Sequence, residues 1–309
     1  MITIAALYQF TTLENPEAVR AELHALCREA GIKGTLILAH EGVNGTVAGS
    51  RAAITTLHQW LLADGRFGSM EYKESHAEVM PFHRLKVKVK PEIVTLGRPE
   101  AAPNKQVGTY VSPKEWDALL QDPDVVVIDT RNHYEIAVGT FPGAISPETE
   151  HFRDFPQFVE KNAALFKHKK IAMCCTGGIR CEKASSYMMS QGFEEVYHLK
   201  GGILKYLEET PPEESKWEGE CFIFDQRVAV SHAVVPGSFS MCYGCRHPLT
   251  EAERTSPLYE EGVTCPRCYD TLSEKQKASA RERHKQVLLA EKRGDTHIGK
   301  VRHENCDRE

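Results

Sequence analysis

The chain has 309 residues, 41% hydrophobic and 26% charged, with 38 basic and 43 acidic side chains, ten cysteines and a formal charge of −5. That length suits two or three domains, and the composition excludes a disordered or fibrous chain. It holds no run near the roughly 18 apolar residues of a membrane span. The opening M-I-T-I-A-A-L-Y-Q-F has neither the basic start nor the cleavage site of a signal peptide, so a cytoplasmic protein with no membrane partner is expected.

Divided along the chain, the charge is informative. Residues 1–104 carry 11 basic and 11 acidic side chains, residues 105–215 carry 12 and 17, and residues 216–309 carry 15 and 15. A polyanionic partner must therefore be held by local basic features outside the acidic middle.

The first segment alternates strand and helix patterns. A β-rich stretch over 2–10 is followed by a helix that Asn15-Pro16 opens and Gly31 closes. Strands are expected over 35–39 and 45–48, then a helix capped by Ser50 to about residue 63, then a last strand over 85–89. The order β-α-β-β-α-β predicts a ferredoxin-like α+β domain over 1–98. In its last strand Arg84, Lys86, Lys88 and Lys90 alternate with Leu85, Val87 and Val89, which puts all four cations on one face. Such a row is either a solvated sheet face or a phosphate-binding ribbon, since aligned cations repel unless something negative offsets them.

Residues 99–112 are rich in proline and glycine and read as a linker. From 113 to 212 strands and helices alternate: helices near 113–120, 155–165 and 180–191, strands over 125–128, 170–173 and 195–198, and a helix after Gly201-Gly202. This alternation predicts an α/β domain built on a parallel sheet. Residues 213–272 hold Cys242-x-x-Cys245 and Cys265-x-x-Cys268, nineteen residues apart, the spacing of a four-thiolate structural zinc site. Tyr243, Arg246, Arg267 and Tyr269 beside the thiols suit RNA by stacking and charge. Residues 273–309 carry 10 basic and 7 acidic side chains and few apolar ones, and read as a solvated charged tail.

The reactive centre is expected at Cys175. The strand over 170–173 delivers Cys174 and Cys175 to its carboxyl end, where ligands of open α/β sheets bind. Thr176, Gly177, Gly178 and Ile179 then curl before a helix opens at about Arg180. The adjacent glycines let successive amide N–H groups converge on one point, and the helix N-terminus adds its positive end. A thiol there loses its proton below its free value of roughly 8.5, with Arg180 as a fixed cation at the rim. Cys174 reads as a buried small hydrophobe. Cys181 is either a redox partner or a structural residue, and Asp129 and Arg131 brace the fold.

The loop C-T-G-G-I-R, the upstream V-V-V-I-D-T-R-N-H-Y-E-I-A-V-G-T-F-P-G-A and the downstream G-F-E-E-V-Y-H-L-K-G-G-I together resemble a rhodanese domain with its cysteine at Cys175. A narrower resemblance spans nearly the whole chain. A-H-E-G-V-N-G-T-V-A-G, H-R-L-K-V-K-V-K-P-E-I-V-T-L-G, C-T-G-G-I-R-C-E-K-A and the C-terminal cysteine pairs are similar to the bacterial oxygen-dependent tRNA wobble-uridine hydroxylases. That resemblance implies conversion of uridine to 5-hydroxyuridine, with molecular oxygen as co-substrate and the tRNA anticodon loop as partner, and no DNA. A thiolate at Cys175 suits this by adding to C6 of the pyrimidine, and equally suits a persulfide carried to a small acceptor, as in rhodanese-type sulfurtransferases. A non-enzymatic docking module is a third reading, against which the intact thiolate cradle weighs.

Overall fold

The computed structural model describes residues 1–295, 297 and 298. The first domain comprises β1 (Ile2–Phe10), α1 (Pro16–Glu29), β2 (Lys33–Ala39), β3 (Gly42–Gly49), α2 (Arg51–Ala63), β4 (Glu71–Ala77) and β5 (Leu85–Val89). Asn15 and Ser50 cap the two helices by accepting from Ala18 N and Ala53 N. The sheet order is β4-β1-β3-β2-β5, antiparallel except for the β2/β5 pair.

The ferredoxin-like expectation holds for the first four strands, with a correction. The fourth strand is β4, not the cationic strand; β5 is a fifth strand added in parallel at the far edge. β4 (Glu-Tyr-Lys-Glu-Ser-His-Ala) was hidden because it has almost no apolar residues. One face of the sheet buries Ala5, Leu7, Leu36, Leu38, Val43, Val47 and Val87 against α1 and α2. The other presents Ile4, Ala6, Tyr8, Thr35, Ile37, Thr46 and Lys73 to the second domain.

The second domain has β6 (Thr109–Val111), α3 (Pro113–Gln121), β7 (Val125–Asp129), α4 (His133–Ile136), β8 (Gly139–Thr140), α5 (Phe155–Phe166), β9 (Lys170–Cys174), α6 (Ile179–Ser190), β10 (Val196–Leu199) and α7 (Gly202–Glu209). Its sheet runs β6-β10-β9-β7, wholly parallel. Thr109–Val111, expected to lie in the linker, is thus the edge strand of this sheet. Beneath the sheet Arg131 is fully buried. It donates to Asp129 through Nε at 2.8 Å and Nη2 at 2.5 Å, reaches Gly139 O, and lies 5.1 Å from the Trp217 ring centroid.

Trp217 lies in the segment that follows this domain and packs onto it. Together with Cys221, Ile223 and Val230 it packs into one core with Phe141, Ile203 and Tyr206. β11 (Glu218–Gly219) pairs with β8, and β12 (Cys221–Phe222) pairs with β13 (Ala229–Val230). The cysteine-rich module proper holds β14 (Ser240–Met241), β15 (Pro248–Leu249) and α8 (Glu251–Arg254). The charged run, expected as a solvated tail, forms α9 (Glu274–Glu291). Ser273 and Gln276 close its N-terminus as a capping box. The helix is held to the module by Arg281–Glu260 and by Lys277 over Tyr269. The remainder of that expected tail, residue 296 and residues 299–309, lies outside the described residues.

Candidate active site

β9 ends at Cys174, and the chain turns through Cys175-Thr176-Gly177-Gly178 into α6. Gly178 adopts φ 105°, where an L side chain is strained, and a Cβ there would come within 2.8 Å of the Tyr8 hydroxyl. The loop is also pinned from below. Ile203 N and Leu204 N, in the first turn of α7, donate to Cys175 O at 2.9 Å and Thr176 O at 3.1 Å. A Cβ on Gly202 would sit 2.5 Å from Cys175 O and 2.7 Å from Gly178 N, which accounts for the glycine at 202.

Cys175 is fully buried at the floor of a cleft of about 740 Å³, which Thr176, Gly177, Ile179 and Arg180 also line. Gly178 N donates to its Sγ at 3.2 Å. Burial opposes ionisation of the thiol. The Cys181 thiol, the Arg180 charge and the amides of Cys181 and Gly178 outweigh it and bring the value from 9.0 down to about 6. Cys181 moves the opposite way: burial and the neighbouring thiolate hold it protonated. It is therefore a thiol donor to Cys175, and it also lies 3.6 Å from Thr130 Oγ1. Cys174 faces the other side of the sheet among apolar residues, and burial raises its thiol well above the ordinary range.

Arg180 is not at the rim. It is 7% exposed and makes a two-pronged pair with Glu135 at 2.6 and 2.7 Å, adding 3.2 Å to Thr176 Oγ1. Glu135, which sits four residues after Arg131, is itself fully buried and was missed as a site residue. The Arg131 and Arg180 heads thus have separate carboxylates, Asp129 and Glu135.

The first domain forms the opposite wall. Lys73 of β4, buried so that its pKa falls, donates to Gly177 O at 3.0 Å and to Gly201 O. Tyr8 of β1 donates to Glu182 at 2.7 Å. Lys183, 1% exposed, reaches both oxygens of Glu41 at 2.7 Å and also Glu92. The helix that follows the loop is therefore buried on both sides, Arg180 to Met188, between its own sheet and the first domain.

The cationic strand belongs to this same wall. Lys86 and Lys88 are in register with Thr35 and Ile37, which line the cleft, and Lys90 lines it directly. Arg84, Lys88 and Lys90 are exposed and Lys86 is half-buried. The Lys86 pKa is lowered by burial and by repulsion from Arg84, Lys88 and Arg246, the last contributed by the cysteine module. The positive field thus continues from the strand to the first cysteine knuckle, where Arg246 lies over Tyr243.

In that module the sulfurs of Cys242, Cys245, Cys265 and Cys268 lie within 4.8 Å of one another, with pairs at 3.7 and 3.8 Å. A regular tetrahedron of thiolates about 2.3 Å from a central ion has edges of about 3.8 Å. The four sulfurs can therefore hold a metal ion.

Residues 2–93 match the model of the UPF0176 acylphosphatase like domain, and residues 112–209 match the rhodanese-like domain. Over 296 residues the chain is 56% identical to a tRNA uridine(34) hydroxylase of Rhizobium leguminosarum bv. trifolii, with 96% of each chain covered. The chain belongs to the tRNA uridine(34) hydroxylase family. Relatives of the same name in Rhizobium etli (55%, 96% of each chain) and Agrobacterium fabrum (54%, 96% of this chain and 95% of that one) are similar to it. The two matched domains lie in one chain, and the cleft with Cys175 on its floor lies between them. Among the described residues no helix is long and apolar enough to cross a membrane.

Proposed function

We propose that this protein hydroxylates uridine 34 of tRNA at C5 in an oxygen-dependent reaction, with Cys175 as the nucleophile, in the cytoplasm. One observation carries the reading: a thiol held as thiolate by its loop lies in the same cleft as a sheet wall that bears a row of cations. A wobble base is already in a single-stranded loop, so presenting it to such a cleft costs less than extrusion from a duplex. The cation row then serves the phosphates and the cleft floor serves the base.

In this reading the Cys175 thiolate adds to C6, the electron pair moves to C5, and C5 becomes the position that attacks oxygen. Placing one oxygen atom in the C5–H bond leaves the other to depart as water, which takes two electrons and two protons from an external reductant. Loss of the C6–S bond restores the pyrimidine and returns the thiolate. Cys181 donates to the sulfur, and Arg180, fixed by Glu135, keeps the sulfur anionic between turnovers. A persulfide carrier acting on a small anion gives no use to a strand-long cation row, so sulfur transfer is the weaker reading.

We infer that the metal of the cysteine module is zinc, in a structural role. Four thiolates close the tetrahedron and leave no open position for substrate. The ion would tie the Arg246 knuckle in place beside Lys86.

The test of the function is nucleoside mass spectrometry of tRNA from cells lacking the gene, complemented by the parent or by Cys175→Ser. Restoration of 5-hydroxyuridine by the parent alone is expected. Equal levels of 5-hydroxyuridine with and without the gene would overturn the reading.

A further inference from the structure

We propose that Phe224 is the stacking platform for the pyrimidine that enters the cleft, an inference that rests on the RNA-modifying reading above. Phe224 is 62% exposed, yet it lines the cleft with Cys175, and its ring centroid lies 5.9 Å from the Arg180 guanidinium carbon. Isolated exposed apolar side chains are ordinary on protein surfaces. This one differs in being held rigidly from behind while its ring stays open.

The support is specific. Phe222 meets Phe224 edge-to-face at 5.2 Å and 85°, and Tyr134 backs Phe222 in the same way at 5.4 Å. Ile223 N donates to Val228 O at 2.9 Å and Val228 N to Asp225 O at 3.1 Å, closing the turn that carries the ring. Arg227 locks that turn through Asp225 and reaches Ser75 on β4 at 3.1 Å. Gln226 N donates to Pro81 O, so the turn is also tied to the loop that leads into the cationic strand. Phe82 of that loop is a further aromatic in the cleft wall.

Exposed aromatics beside cations are how proteins hold unpaired bases, because every base offers a π face to stack on. The phosphates would follow Arg84 to Lys90 from this end, and one base would turn inward onto Phe224, one guanidinium away from the Cys175 loop. The ligand class is therefore an unstacked pyrimidine nucleotide within single-stranded RNA.

The experiment uses the full-length protein and an anticodon stem–loop RNA, either intact or abasic at the target position. Phe224→Ala and Phe224→Leu should each weaken binding roughly 5- to 150-fold, the range for one lost base–aromatic stack. Phe224→Trp should bind as the parent does, and its emission, over that of the three native tryptophans, should be quenched by the intact RNA and far less by the abasic one. Parent-like binding by Phe224→Leu would overturn the proposal, since leucine keeps the apolar contact without the π face. Equal quenching by intact and abasic RNA would also overturn it, by placing the stack on another nucleotide. Binding by the parent and quenching in Phe224→Trp as expected, with the uridine left unhydroxylated by the parent, would instead sink the functional reading and leave the stacking platform standing.

Discussion

The Tyr8 hydroxyl of the first domain donates a hydrogen bond, at 2.7 Å, to the carboxylate of Glu182 on the helix that follows the Cys175 loop. The two residues are 174 positions apart, and the bond seals the two domains against each other behind Cys175. Burial pushes Glu182 up from 4.5 to about 7, against the pull of hydrogen bonds from Tyr8 and Tyr110, with Glu71 and Cys175 adding repulsion.

This has a consequence for stability. A carboxyl raised in the folded state stabilises the fold fully below its unfolded value, and that contribution is lost as pH rises through the folded one. The window therefore runs from 4.5 to about 7, and its full depth is about 3 kcal/mol at one pKa unit per 1.36 kcal/mol. Buried His198, pushed down from 6.5 to about 4, acts with the opposite sign over nearly the same range, so the test is a difference. Relative to the parent, Glu182→Gln should gain stability in thermal melts as pH rises from 4.5 to about 7, while keeping the Tyr8 contact. An unchanged slope in the variant would assign the pH dependence to other groups.

Cys175 should alkylate with a midpoint near pH 6 when treated with a small reagent that fits the cleft, as its lowered pKa requires. Cys175→Ser should abolish both the alkylation and the hydroxylation with the fold intact. Cys174→Ser should keep substantial activity, because Cys174 packs on the other side of the sheet. Exchange of the two behaviours would mean that the loop register is wrong.

Reversing Lys86 and Lys88 to Glu should weaken tRNA binding strongly and flatten its salt dependence. Each lost phosphate contact removes roughly 0.7–0.9 from the slope of log affinity against log salt. Leu85, Val87 and Val89 face the opposite way, so the fold should survive, and relief of the repulsion that lowers the Lys86 pKa favours the exchange. Equal affinity and equal slope in parent and variant would remove the strand from the RNA interface.

Elemental analysis of the purified protein should find about one zinc per chain, lost on replacement of Cys242 or Cys265. Because α9 is bonded to the same module through Arg281 and Glu260, far-UV circular dichroism should lose helix with the metal. A folded, active protein that contains no metal would contradict the zinc assignment.

The chain order of residues was enough to place the Cys175 loop, the one-faced row of cations and the paired cysteine knuckles. Each is local: a double glycine beside a strand end, a two-residue period, a C-x-x-C spacing. β4 escaped because its alternate side chains face a cleft rather than a core, and Lys73 and Ser75 there give no apolar period to read. Glu135 escaped as a partner for Arg180, and Phe224 as part of the cleft, because nothing in their neighbours states what lies opposite them. Periodicity reports which side of an element is covered, whereas the identity of the cover depends on how whole domains dock. That docking, through Lys73 on the loop carbonyls, Lys183 on Glu41 and Tyr8 on Glu182, made one cleft out of features that the sequence holds far apart.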